Sequence, residues 1–256
     1  MFIVVVQVRA QAQDKTLFEK AIFVSKQGDS LRYRILYPEN FESTKKYPLV
    51  LFMHGAGERG NDNEKQLTHG ADLFLSPANR KQFPCIVIFP QCQEDKYWVD
   101  INLRKKLLSK EVDLGFEEVD APPTREMELV MELHNTLKRK KYVDKKRLYI
   151  TGLSMGGFGT FEIVTRWPKT FAGAVAMCGG GNPDRVERYA KTTPIWITHG
   201  MLDNVVDVKY SRRVYEALQK AGGTVKYTEF PEANHNAWDP TFAMPDLLPW
   251  LFAQHR

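Results

Sequence analysis

Residues 147–161 read RLYITGLSMGGFGTF. The apolar run up to Leu153 has the length and composition of a buried strand. From Met155 to Trp167 the spacing is helical, and Pro168 stops it. Between the two stands Gly152-Leu153-Ser154-Met155-Gly156, with Gly157 following. A serine at the apex of so sharp a strand-to-helix turn must take strained backbone angles. Glycines two before and two after let neighbouring backbone pass without a Cβ clash. The helix behind it aims N-terminal N–H groups at the apex, which favours developing negative charge there. A glycine-rich packing turn is the alternative. A strand before and a helix after are what a nucleophile needs.

Outward from this stretch, strands and helices alternate. Residues 20–26 and 31–37 predict a hairpin around Gln27-Gly28-Asp29-Ser30. Short apolar runs follow at Pro48 to Met53, Cys85 to Phe89, Phe171 to Cys178, Pro194 to His199 and Val225 to Phe230. Helical spacing is read over residues 125–140, from Tyr210 to Ala221 (ended by Gly222-Gly223), and from Pro240 to Ala253. Continuous apolar runs separated by helices predict an α/β fold, a mostly parallel sheet covered on both faces, with the hairpin as an antiparallel edge. Ligands of such sheets bind beyond the carboxyl ends of the strands. Residues 14–256 are read as one domain, with 100–124 an insertion or flap.

Composition sets the outer limits. The chain has 256 residues, 43% hydrophobic and 26% charged, which excludes wholesale disorder, collagen and a coiled coil. No stretch reaches the roughly 18 consecutive apolar residues of a membrane helix. The net charge of +5 is spread along the chain. Its densest cluster, Lys138 to Lys141 with Lys145, Lys146 and Arg147, reads as a solvated helix end rather than a nucleic-acid groove, since no aromatics interleave it. Three cysteines, Cys85, Cys92 and Cys178, read as small buried hydrophobes, and no zinc-ligand spacing is present. Met1 to Val6 followed by Ala10 and Ala12 resembles the end of a clipped signal peptide, which points to a periplasmic or secreted protein. The alternative is a first strand or frayed terminus in a cytoplasmic one.

A serine alone is a poor nucleophile and needs a base. Six histidines are available. His134 falls in a helix and His255 at the terminus. His54 and His199 each precede a glycine at a strand end, where shaping the backbone is the expected role, and His69 lies in a polar loop. His235 follows the last strand and precedes the last helix, so it is the expected base. Its tautomer needs an orienting carboxylate. After the strand ending at Thr198, Asp203 and Asp207 compete. Asp203 is assigned, because Asp207 reads equally well as a helix cap. The order Ser…Asp…His is that of the α/β-hydrolases. An oxyanion hole is expected from the backbone N–H groups of Met155 and Ala56, with Gly57 the alternative to Ala56.

At these residues the chain resembles α/β-hydrolase-fold serine esterases of the phospholipase/carboxylesterase and dienelactone-hydrolase type, a group that includes bacterial "predicted peptidases". The matching stretches are HGAGERGND (54–62), PQC (90–92) with Trp98, ITGLSMGGFGTF (150–161), HGMLDNVV (199–206) and HNAW (235–238). The family pattern places the acid at the first Asp of D-x-x-V, which is Asp203, but has Pro where this chain has Asp207. The resemblance implies hydrolysis of carboxylic esters through an acyl-enzyme, without metal or organic cofactor. Its members include enzymes for acyl or feruloyl groups on plant polysaccharide, so a small-molecule or carbohydrate-linked ester is the expected partner. Trp98 is read either as a pocket wall that binds substrate or as a core residue. Glu58 and Arg59 are read either as lining the site or as pairing with each other and shaping their loop, and the shaping role is expected. A serine peptidase of the same fold and a non-catalytic binding protein are the alternatives.

Overall fold

A computed structural model describes residues 14–100 and 122–256 of the protein. The expected leader at 1–13 and most of the expected flap at 100–124 lie outside the described residues.

The hairpin forms as its turn chemistry demands. Strands β1 (Glu19–Val24) and β2 (Ser30–Leu36) pair antiparallel, with Val24 opposite Ser30. Gly28 turns the chain at φ +93°, and Ser25 Oγ accepts the N–H groups of Gln27 and Asp29. The remaining strands are β3 (Tyr47–Met53), β4 (Ile86–Pro90), β5 (Val143–Leu153), β6 (Gly173–Met177), β7 (Ile195–Gly200) and β8 (Val225–Phe230). Together they make one sheet in the order β1-β2-β4-β3-β5-β6-β7-β8. β2 meets β4 antiparallel, and every pairing from β4 to β8 is parallel. The α/β-hydrolase architecture with an antiparallel edge follows directly.

The apolar runs are apolar because both faces are covered. Along β3, Leu49, Leu51 and Met53 face one core and Val50 and Phe52 the other, all fully buried. The first core lies under the helices Arg125–Lys138 (α3), Met155–Arg166 (α4) and Lys209–Lys220 (α5), through residues such as Val130, Phe161 and Val214. The second lies under Ala71–Leu75 (α1) and Leu247–Ala253 (α7), with the short exposed helix Pro77–Gln82 (α2) following α1. Thr124 starts α3 by accepting the N–H of Met127, while its hydroxyl donates to Trp98 O.

The last expected helix, Pro240 to Ala253, is two helices: Trp238–Phe242 (α6) and α7. Pro245 lies between them. It lacks an N–H and disfavours helical angles at Met244, so the segment breaks there. β5 also begins four residues before its expected start, because Tyr47 pairs with Val143 across an irregular register. Cys85, Cys92 and Cys178 are free and buried.

Candidate active site

Three segments meet above the carboxyl ends of β5, β7 and β8. The first is the turn between β5 and α4. Ser154 sits at φ 53° and ψ −117°, strained for a residue with a Cβ. The glycines around it permit this. A Cβ on Gly152 would come 2.3 Å from Gly156 O, and one on Gly156 only 2.0 Å from Met53 O. The elbow is thus pressed against β3 by backbone contact, and Ser154 N–H donates to Met177 O at 2.9 Å.

The second and third segments are the loops after β7 and β8. Ser154 Oγ lies 2.8 Å from His235 Nε2, and His235 Nδ1 lies 2.7 Å from Asp203 Oδ2. The other carboxylate oxygen, Asp203 Oδ1, accepts the N–H groups of Val205 and Val206 at 2.9 and 2.8 Å. Burial alone would push the Asp203 carboxyl up. Hydrogen bonds from His199, His235 and Val206 N–H outweigh it and hold the carboxyl well below the usual range. An ionised Asp203 only accepts, so His235 Nδ1 carries the hydrogen. Nε2 is left with a lone pair toward the Ser154 hydroxyl. Asp207 is elsewhere: its exposed carboxylate accepts Lys209 N–H at the start of α5.

The loop after β3 supplies the facing wall. A Cβ on Gly55 would stand 3.6 Å from Ser154 Cβ. Ala56 opens the short 3-10 turn Ala56–Glu58, and Met155 opens α4. First residues of helical turns have N–H groups without a partner inside the turn, which suits both for holding an oxyanion. His54 fixes this loop. Its Nδ1–H donates to Gly55 O, and its Nε2 accepts Cys92 N–H at 3.0 Å. Burial lowers its pKa to about 4, so the ring stays neutral.

Trp98 answers to the core half of its expectation, and the pairing of Glu58 with Arg59 is corrected. Trp98 is fully buried; its indole N–H donates to His54 O at 3.0 Å, and its Cβ lies 3.2 Å from where a Cβ on Gly159 would be. It therefore supports the loop from within the core, the second of its two readings. Glu58 and Arg59 do not pair. The Arg59 guanidinium lies over the Tyr97 ring at 4.2 Å and its Nε donates to Ala56 O. Glu58 faces His69 at 3.7 Å, and burial raises its carboxyl, opposed by His69 and by backbone N–H groups of Gly55 and Glu58. Trp238 stands between the rings of His69 and His235, at 5.1 and 5.4 Å.

Two contributors were not found from sequence. His199, assigned only a backbone role, reaches Asp203 Oδ2 at 3.2 Å with both side chains fully buried. Its place at the end of the strand that leads to the acid, four residues before it, was the available signal. Cys178 sits at φ 48° beside the acid and the base. Burial, then the charge of Asp203, push its thiol up to about 12, against backbone N–H groups of Ala237, Gly200 and Trp238. Among the described residues, donor atoms of Cys178, Asp203 and His235 lie within 4.8 Å of one another. Two of the three are already committed to the Ser–His–Asp chain, and the third is held as a thiol, so the set is poorly suited to a resident metal.

Known esterases resemble this chain in sequence and in fold. The chain is 25% identical over 198 residues to the carboxylesterase SOBER1 of Arabidopsis thaliana, covering 73% of this chain and 82% of that protein. It is 24% identical over 223 residues to the bifunctional acetylxylan esterase/xylanase XynS20E of Neocallimastix patriciarum, covering 84% of this chain. That match spans only 29% of the relative's length. A thermostable esterase of known structure superposes with a TM-score of 0.82 at 34% identity, over 94% of this chain and 64% of that one. Residues 40–245 match the phospholipase/carboxylesterase family, to which this chain belongs.

Proposed function

We propose that the protein is a serine carboxylic-ester hydrolase that works through an acyl-enzyme. The observation that carries this reading is the unbroken hydrogen-bonded chain from Ser154 Oγ through His235 to Asp203, over the strand ends. In the first step His235 Nε2 takes the hydroxyl proton as Ser154 Oγ attacks the ester carbonyl carbon. The carbonyl oxygen becomes an oxyanion held by the N–H groups of Ala56 and Met155; one such donor contributes about 3 to 4 kcal/mol. The tetrahedral intermediate collapses, its bond to the alcohol oxygen breaks, and His235 gives its proton to the leaving alcohol. Water then attacks the acyl-enzyme with His235 again as base. The second collapse frees the acid and returns the proton to Ser154. Asp203 stays ionised throughout and stabilises the imidazolium that forms twice.

For the substrate we favour an acyl group, acetyl or feruloyl, esterified to a plant polysaccharide. The family membership and the similarity to an acetylxylan esterase support that choice. No helix among the described residues is long and apolar enough to cross a membrane.

A panel of acetyl, butyryl, longer acyl and feruloyl esters, run beside a peptide amide, tests the proposal. Turnover of short acyl or feruloyl esters with little or none of the amide is expected. Amide cleavage outpacing every ester contradicts it.

A further inference from the structure

His199 lies inside the fold, and its ring meets acceptors on both sides. Nε2 is 2.9 Å from Val206 O and 3.2 Å from Asp203 Oδ2. A carbonyl oxygen and an ionised carboxylate carry no hydrogen, so Nε2 must donate. Nδ1 is 2.7 Å from Ser211 Oγ. The single proton of that hydroxyl is directed to Gly179 O at 2.9 Å. A hydroxyl donating to a carbonyl offers only lone pairs elsewhere, so Nδ1 must donate as well. An imidazole with two donating nitrogens is an imidazolium.

We propose that His199 is a buried, protonated imidazolium that serves as counter-charge to Asp203 and so positions the acid for His235. The inference rests on the Ser154–His235–Asp203 reading above. Asp203 then has both oxygens filled: Oδ1 by two backbone N–H groups and Oδ2 by two histidines. Its orientation is fixed, and its charge is shared between two rings. A lone buried carboxylate beside His235 would hold a proton on that ring and remove it as a base. A cation on the far side of Asp203 weakens that hold and leaves His235 free to accept the proton of Ser154. His199 touches no reacting atom and acts only through Asp203.

Other charged and titratable groups around His199 among the described residues are accounted for. Asp207 pairs with Lys209 at the surface. Glu229, opposite His199 in the register with β8, accepts from Arg212 Nε and Nη2 and from the Tyr227 hydroxyl. Cys178 is a neutral thiol.

The test reads the ring directly. In intact protein labelled with 15N-histidine, the spectrum at about pH 8, well above the ordinary histidine range, is expected to show both His199 nitrogens protonated. One bare His199 nitrogen at that pH overturns the proposal: the Ser211 hydroxyl would then point at Nδ1 and the ring would be neutral. A second measurement uses His199→Gln, which keeps a donor near Asp203 without the charge. The acidic limb of its kcat/KM profile on p-nitrophenyl acetate is expected to move to higher pH by about one unit. A merely structural role lowers the rate at every pH and leaves the limb in place; that result, in a folded variant, also overturns the proposal. Should His199→Gln fail to fold, the spectrum of the wild type decides. If the wild type neither turns over esters nor reacts with a fluorophosphonate, the triad reading falls, and the spectrum still reports the charge on His199.

Discussion

Asp203 Oδ2 accepts from His235 Nδ1 at 2.7 Å, while Asp207, four residues on, only caps the start of α5. The two aspartates are therefore separable. Asp203→Asn presents an amide where an acceptor is needed and leaves His235 in the wrong tautomer, so kcat is expected to drop on the order of 10³- to 10⁴-fold. Asp207→Asn keeps the capping oxygen and is expected to change kcat less than about twofold. Steady-state assays of both variants on one ester check this. Equal losses would refute the assignment.

The elbow depends on backbone packing that only glycine permits. Gly156→Ala drives a Cβ to 2.0 Å from Met53 O, and neither backbone can yield without moving Ser154. Its cost is expected to exceed the about 1–3 kcal/mol of ordinary overpacking, with activity lost. Gly57 has open space around its Cβ position and a φ that any residue can adopt. Gly57→Ala is expected to fold and melt like the wild type. Urea midpoints for the pair, compared with ester turnover, separate the two cases.

Acid should weaken the fold through its buried histidines. Burial lowers His54 to about 4 and His134, opposed also by Lys138, to about 3. The folded state refuses a proton that the unfolded chain accepts at about 6.5. Stability is therefore lost as pH falls from about 6.5 toward 4, by an order of about 3 kcal/mol for His54 alone. Denaturant midpoints across that window should slope downward with acidity. His134 packs against Phe171 at 4.9 Å, and among the described residues neither ring nitrogen finds a partner. His134→Leu is expected to flatten the slope and to match or exceed wild-type stability at neutral pH, since it removes an unpaired buried polar group. A steeper slope in that variant would count against this origin.

Much of this was legible in the sequence because the signals were local. Apolar runs between helices gave the sheet, and Gly152 through Gly157 gave the elbow with its strand and helix. His235 and Asp203 could be chosen because each follows a strand at the carboxyl edge. What stayed hidden is set by pairing between distant segments. Trp98 left two readings open, and its indole N–H to His54 O, 44 residues back, decides for the core. Glu58 and Arg59 are adjacent in the chain, but a short helical turn sends one toward His69 and the other onto Tyr97. The second role of His199 depends on Ser211 and Gly179, 12 and 20 residues away along the chain, fixing the polarity of its ring.

The nucleophile is the central claim, and covalent capture reads it most directly. Intact-protein mass after exposure to a fluorophosphonate should show one adduct on the wild type, mapped by peptide digestion to Ser154. Ser154→Ala should show none, with an unchanged fold by circular dichroism and ester turnover at background. An adduct of equal yield on Ser154→Ala, or a wild type that hydrolyses esters yet takes up no label, would place the chemistry at some other group.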